Sequence, residues 1–241
     1  MRPHLKRGFR VRSFLCIYGT VRIRIEKETA MSLDESTLTE TEKLNLPFLN
    51  LVAEDPSLHE GLPIPEEDLE LFQKHMFEQD LASRPRVLDA GCGMARYAGD
   101  LADVFAYEGI DISEKMLECA RERNPQLNFK HMSFAHSDFP DGRFHGIWCF
   151  CALNTTPKAE VPKVFKEFKR ILGHRGLLFL AMPNHGYVSE GVENTQLGVP
   201  LYYSSWDPIE FAPVVLGAGF KILNLVRREE FGSFTVLAQK I

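Results

Sequence analysis

At 241 residues and 44% hydrophobic content, the chain is long enough for one full core and a small appendage. No apolar run approaches the roughly 20 residues that a membrane-spanning helix needs, and the five cysteines (Cys16, Cys92, Cys119, Cys149, Cys151) form neither a CxxC pair nor an even framework. Together these features argue against a membrane span, a disulfide-stapled secreted domain and a metal centre, and point to reduced thiols in a cytosolic-type compartment.

The net charge of −5 is unevenly spread. Residues 1–30 carry eight Lys or Arg against Glu26 and Glu28, leaving the remaining residues at −11. An acidic body argues against a nucleic-acid footprint on the main domain. The basic leader reads as an inert extension ahead of Met31-Ser32-Leu33-Asp34, as an organellar transit segment, or as an arm for nucleic acid or a membrane surface. The expected localisation is cytoplasmic, or organellar if the leader directs import. Within it Val21, Ile23 and Ile25 alternate with arginines, a pattern compatible with a short edge strand. The expected organisation is a basic, flexible extension over 1–40, a helical lead-in or lid over 41–85, and a core over 86–241.

Between Ser32 and Pro65 four prolines predict a loop-rich stretch with one short helix. Glu66 to Leu81 places Leu69, Phe72 and Met76 on one helical face, suited to cover a sheet or a ligand mouth. Strand and helix then alternate, as in a parallel α/β sheet. Strands are predicted at 86–90, 106–111, 127–132, 146–151 and 176–182, with helices at 95–104, 114–123 and 159–172. An insertion rich in Gly, Asn and Tyr follows Met182. A helix near 207–216 precedes two strands, 220–228 and 233–238, joined by the Glu230-Phe231-Gly232 turn.

The first of these strands runs Val87-Leu88-Asp89-Ala90 into Gly91-Cys92-Gly93-Met94-Ala95-Arg96. Two glycines permit a sharp turn and close approach of a ligand to the backbone, with free N–H groups expected to face it. Such a turn serves either a dinucleotide or S-adenosylmethionine (SAM). A dinucleotide fingerprint needs a third glycine where Arg96 stands, and an acidic residue two positions before the first glycine suits an ammonium better than a pyrophosphate. Asp111 ends the second strand 22 residues after Asp89, positioned to accept a pair of ribose hydroxyls, while Ser113 is placed to cap the next helix.

The stretch Val87–Gly93 resembles motif I of the class I SAM-dependent methyltransferases, with Ala95 standing at a position where glycine is common. The order of elements over 66–241 resembles that family too, including Ala159–Met182 and Trp206–Phe220. The resemblance implies a three-layer α/β sandwich around a seven-stranded, mostly parallel sheet whose last strand is antiparallel. It implies SAM as cofactor. Asp89 would meet the methionine ammonium, and Gly91, Cys92 and Gly93 would lie along the methionine part. Arg96 would meet the carboxylate and Asp111 the ribose. Ile112 and Met116 would flank the adenine, with Ser133 and Phe134 at its edge and Cys149 near the sulfonium. Ser133 stands where the family has an Asp, so His136 and Asp138 are substitutes for the adenine contact, and His145 likewise replaces an Asp. Asn154, His185, Tyr187, Tyr202, Tyr203 and Trp206 come from loops expected to face the acceptor, with His185 and Tyr203 the candidate bases. The implied activity is methyl transfer to a small molecule. The alternatives are a non-catalytic SAM-binding protein, or redox or aminopropyl chemistry on the same fold.

Overall fold

The computed structural model describes residues 33–55, 66–79, 84–184 and 190–241. Strands β1 (Arg86–Ala90), β2 (Ala106–Asp111), β3 (Asn128–His131), β4 (Phe144–Phe150) and β5 (Leu172–Pro183) are joined by β8 (Phe220–Arg228) and β9 (Ser233–Lys240). Among the described residues these build a seven-stranded sheet in the order β3-β2-β1-β4-β5-β9-β8. β9 enters antiparallel between β5 and β8, and the remaining neighbours β3 through β5 run parallel. This is the expected sheet.

Period-two alternation along the strands feeds two cores. Val87, Tyr107, Trp148 and Phe179 face α2 (Glu66–Phe77), α3 (Ala98–Val104) and α4 (Glu114–Arg123). Leu88, Ile110, Ile147, Leu178 and Leu180 face α5 (Val161–Ile171) and α6 (Pro208–Gly217). Helix α2 covers the sheet, and its Phe72 and Met76 are fully buried. Gly146 in β4 is what lets it approach so closely, since a β-carbon there would lie 2.7 Å from the Phe72 ring. A buried Asp68 on the same helix accepts from Arg228 Nη2 (2.7 Å) and Thr235 Oγ1 (3.2 Å), tying α2 to the β8–β9 hairpin.

Two segments go beyond what the sequence led one to expect. The stretch after Ser32 contains a 3-10 turn (Glu35–Thr37) and then α1 (Glu40–Glu54), a 15-residue helix that runs through Pro47. Its first turn is secured by a capping box, with Thr39 and Glu42 each accepting the other's backbone N–H. The insertion after β5 contains a separate antiparallel hairpin, β6 (Glu190–Asn194) with β7 (Pro200–Ser204). Its strands are largely exposed or half-buried, so no apolar alternation marks them. Helix α1 packs against α4 and β7, and Val52 and Ala53 of α1 share a buried cluster with Met94 and Met116. The alternating segment at Val21–Ile25 lies outside the described residues.

Candidate functional site

The strand order reverses between β1 and β4, so the carboxyl ends of β1, β2 and β4 form the switch point at which open α/β sheets take ligands, here called the crevice. After Ala90 the backbone turns through left-handed conformations at Gly91 (φ +75°), Gly93 (φ +52°) and Ala95 (φ +54°). The N–H groups of Gly91 and Cys92 both donate to the Ile110 carbonyl at 2.9 Å. That of Gly93 donates to Asp111 Oδ2 at 2.9 Å, and that of Ala95 to the Cys92 carbonyl at 2.8 Å. The expected free amides are therefore consumed in stapling the turn to β2. A pyrophosphate would find these four donors already taken.

The two glycines do different work. A β-carbon on Gly91 would lie 2.4 Å from Ala152 Cβ, so this glycine is required by the protein's own packing. At Gly93 a β-carbon would meet nothing within 4 Å. This glycine therefore borders open space rather than the protein's own packing.

Beneath the turn Asp89 is 5% exposed, and Tyr107 Oη donates to its Oδ2 at 2.8 Å. Burial raises its pKa to about 7 from an ordinary 3.8, the Tyr107 bond opposes this, and the charge of Asp111 adds to it. Burial also pushes Asp111 up, against the bonds from the Ser113 and Gly93 amides. The thiols of Cys92 and Cys149 are raised by burial and by the Asp89 charge, so both are neutral. The floor of the crevice thus offers two buried carboxylates and no cation among the groups bonded to them.

Residues 87–176 match the family described as "Methyltransferase domain". The human "eEF1A lysine and N-terminal methyltransferase" is 32% identical over 99 residues, 39% of this chain and 14% of that protein. "Methyltransferase GfsG" of Streptomyces halstedii is 27% identical over 121 residues, 46% of this chain and 43% of that protein. The chain therefore spans less than half the length of either curated relative. The solved structure of SAM-bound CalS10, an amino pentose methyltransferase from Micromonospora echinaspora, superposes with a TM-score of 0.58 at 18% identity, covering 76% of this chain and all of that one. The match to a methyltransferase domain is confined to residues 87–176, and the fold is that of the SAM-dependent methyltransferases.

Several residues singled out for this methyltransferase fold stand at the crevice. Asp111 is 8% exposed, with Oδ1 accepting the Ser113 N–H and Oδ2 that of Gly93, both at 2.9 Å. Ser113 caps α4 through its bond from the Met116 N–H, as expected. Ile112 is half-buried, and Met116 is buried beneath α1 with Met94. The Phe134 ring lies beside Gly91, 3.5 Å from where a β-carbon would stand. Cys149 is wholly buried in β4.

Others fall elsewhere. Helix α3 begins at Ala98, so Arg96 sits in the preceding turn, exposed, and not on the helix. His136 and Asp138 line a shallow surface groove with Thr37, Glu167 and Arg170. His145 Nδ1 accepts the Arg86 N–H at 2.9 Å, so this residue belongs to the opening of β1, at the sheet end remote from the crevice. Trp206 is buried and packs edge-on against Phe211 of α6, a core contact. The Tyr203 hydroxyl is buried in β7, and Tyr202 Oη donates to Glu190. His185 and Tyr187 lie outside the described residues.

The residues missed are those of α1. Asn45 is 1% exposed; it accepts the Tyr202 N–H at 2.7 Å and donates to the carbonyls of Thr155 and Tyr202. Asn50 accepts from Ser113 Oγ at 2.8 Å, and Glu42 accepts from Ser133 Oγ. The Thr39-x-x-Glu42 spacing was the one sequence signal that announced this helix.

Proposed function

We propose that the protein binds SAM in this crevice and transfers its methyl group to a small-molecule acceptor. The observation that carries the reading is Asp89, a buried carboxylate under a turn whose amides are already spent. Such a floor suits a cation and disfavours a phosphate. Asp89 would pair with the ammonium of the methionine part, and the space beside Gly93 would admit the chain of the cofactor, with Cys92 along it. Asp111 keeps lone pairs beyond those used by the Gly93 and Ser113 amides, and these would accept the ribose hydroxyls. Ile112, Met116 and Phe134 would flank the base, Arg96 would meet the carboxylate, and Cys149 would underlie the sulfonium end as a neutral, non-nucleophilic contact. When bound, SAM supplies an activated methyl group that leaves by in-line displacement.

The chain's own part is alignment, which supplies much of the rate in such a displacement. Asn154 is 6% exposed in the 3-10 turn after β4 (Leu153–Thr155), and its Oδ1 has no hydrogen-bond partner among the described residues. It would accept an N–H or O–H from the acceptor and aim it. Where the acceptor must lose a proton, Tyr203 or His185 would take it. A small acceptor is supported by the enclosure of this end of the sheet, where Asn45 of α1 joins the turn after β4 to β7. The resemblance to an amino pentose methyltransferase points the same way.

Calorimetry with SAM, S-adenosylhomocysteine and NAD tests the cofactor, and binding of NAD in preference to SAM would refute the assignment. S-adenosylhomocysteine release across a panel of small amines, alcohols and thiols, with elongation factor 1A as a protein arm, tests the acceptor. Turnover confined to the protein arm would exclude a small-molecule acceptor.

A further inference from the structure

Resting on the cofactor reading above, we propose that Glu42, delivered by α1 to Ser133, reads the exocyclic amine of the bound adenine and selects it against a C6 carbonyl. The strand order sets the direction of the nucleoside. With the amino acid part over the turn after β1 and the ribose on Asp111 at the end of β2, the base continues outward to the end of β3, because β3 is the next neighbour of β2. The chain there is Met132-Ser133-Phe134, which supplies no acid of its own.

Ser133 is 2% exposed, and its hydroxyl is already engaged. It accepts the Ala135 N–H at 3.0 Å and gives its proton to Glu42 Oε1. A hydroxyl with one lone pair left and no charge is a poor reader of an amine. The carboxylate it holds is a better one. Glu42 Oε2 accepts the Thr39 N–H at 2.8 Å, so both oxygens are positioned from opposite sides, and each retains a lone pair. No Lys or Arg pairs with Glu42 among the described residues, and its side chain is half-buried, so its charge is available to a ligand. His136 and Asp138, the other acceptors near this loop, line a surface groove that also holds Arg170.

An ionised carboxylate accepts and cannot donate. It therefore favours an amino group at C6 and repels a carbonyl there, which makes Glu42 a specificity-determining residue supplied from 91 positions away in the chain.

The test is calorimetric binding of S-adenosylhomocysteine and S-inosylhomocysteine, which differ by amine or carbonyl at C6, to the full chain and two variants. Wild type should prefer the adenosyl ligand by roughly tenfold or more, the scale of one charge-assisted hydrogen bond replaced by repulsion. Glu42→Gln preserves the capping box, since glutamine serves at that position equally, and its amide can donate to the carbonyl. Its preference should fall to about threefold or less. Ser133→Ala leaves the carboxylate in place but unanchored and should reduce the preference part-way, a readout that a purely structural contact would not move. Equal binding of both ligands by wild type overturns the inference. So does an undiminished preference in Glu42→Gln, or in Ser133→Ala should the first variant fail to fold. Failure of wild type to bind either ligand overturns the cofactor reading itself, an outcome distinct from binding without discrimination.

Discussion

The glycine turn and helix α1 meet over the same crevice, at the cluster of Met94 and Met116 with Val52 and Ala53, yet they are built in opposite ways. The turn is held by its own amides, which donate to the Ile110 carbonyl and the Asp111 carboxylate of the adjacent strand, from residues within about one strand–helix–strand unit of each other. Helix α1 is held by side chains that reach across the chain: Asn50 to Ser113, Glu42 to Ser133, Asn45 to Thr155 and Tyr202. A local backbone staple tolerates changes of side chain but not of backbone conformation. A long-range polar clasp shows the reverse sensitivity, and the contrast can be broken at chosen atoms.

The largest effect is expected at Gly91. An alanine there combines a positive φ with a 2.4 Å approach to Ala152 Cβ, and should cost about 2–4 kcal/mol of stability. Gly93→Ala meets open space, so it should cost only about 1 kcal/mol, the strain of its φ, while removing most SAM affinity. Thermal melts and titrations of the pair separate the two roles. A Gly91 variant with wild-type melting would show that Ala152 can yield.

Asp89→Asn should weaken SAM binding by about 1.5–3 kcal/mol, the loss of a charged hydrogen-bond partner. The pH dependence gives a second readout. The folded carboxyl has a pKa of about 7 against 3.8 ordinarily, so between those values the folded chain keeps a proton that the unfolded chain releases. The ligand-free protein should therefore lose stability as pH rises through that window. SAM's ammonium favours the ionised form, so affinity should climb toward pH 7 and then level. The asparagine variant should flatten both profiles, and a SAM affinity insensitive to pH in the wild type would remove Asp89 from contact with the ammonium.

Asn45→Ala leaves the Tyr202 N–H without its partner in a buried setting and should cost about 1–3 kcal/mol. Hydrogen exchange should show α1 and β7 losing protection while the amides of Gly91, Cys92 and Gly93 keep theirs. Equal loss in both regions would mean that clasp and staple form one cooperative unit. The smallest effect belongs to Ala95→Gly. Glycine relieves the φ of +54°, so a gain of up to about 1 kcal/mol is expected with cofactor affinity unchanged.

The difference between staple and clasp also explains what could be read in advance. The order of the strands of the main sheet and of the helices between them was legible because each of these elements carries its own period of apolar residues, and the turn was legible because Asp89, Gly91 and Gly93 lie within five positions. Ala95 stood out as a departure, but its left-handed backbone, which delays α3 to Ala98 and carries Arg96 off the helix, did not. Helix α1 was obscured by Pro47, whose missing N–H argues locally for a loop while distant partners outweigh it. The hairpin β6–β7 was obscured because its strands expose most of their surface, so no hydrophobic alternation was required of them.

Periodicity by itself determined an alternating α/β chain with a parallel sheet, and the residue types at Asp89, Gly91 and Gly93 marked a tight ligand-type turn, since both follow from burying apolar faces and from backbone freedom at adjacent residues. Only the tertiary structure decided that the turn's amides are spent on β2, that Gly91 serves packing while Gly93 faces open space, and that Ser133 shares its hydroxyl with Glu42. Those are pairings between groups on different elements, and a hydrogen bond or a steric contact depends on ångström distances that no local pattern encodes.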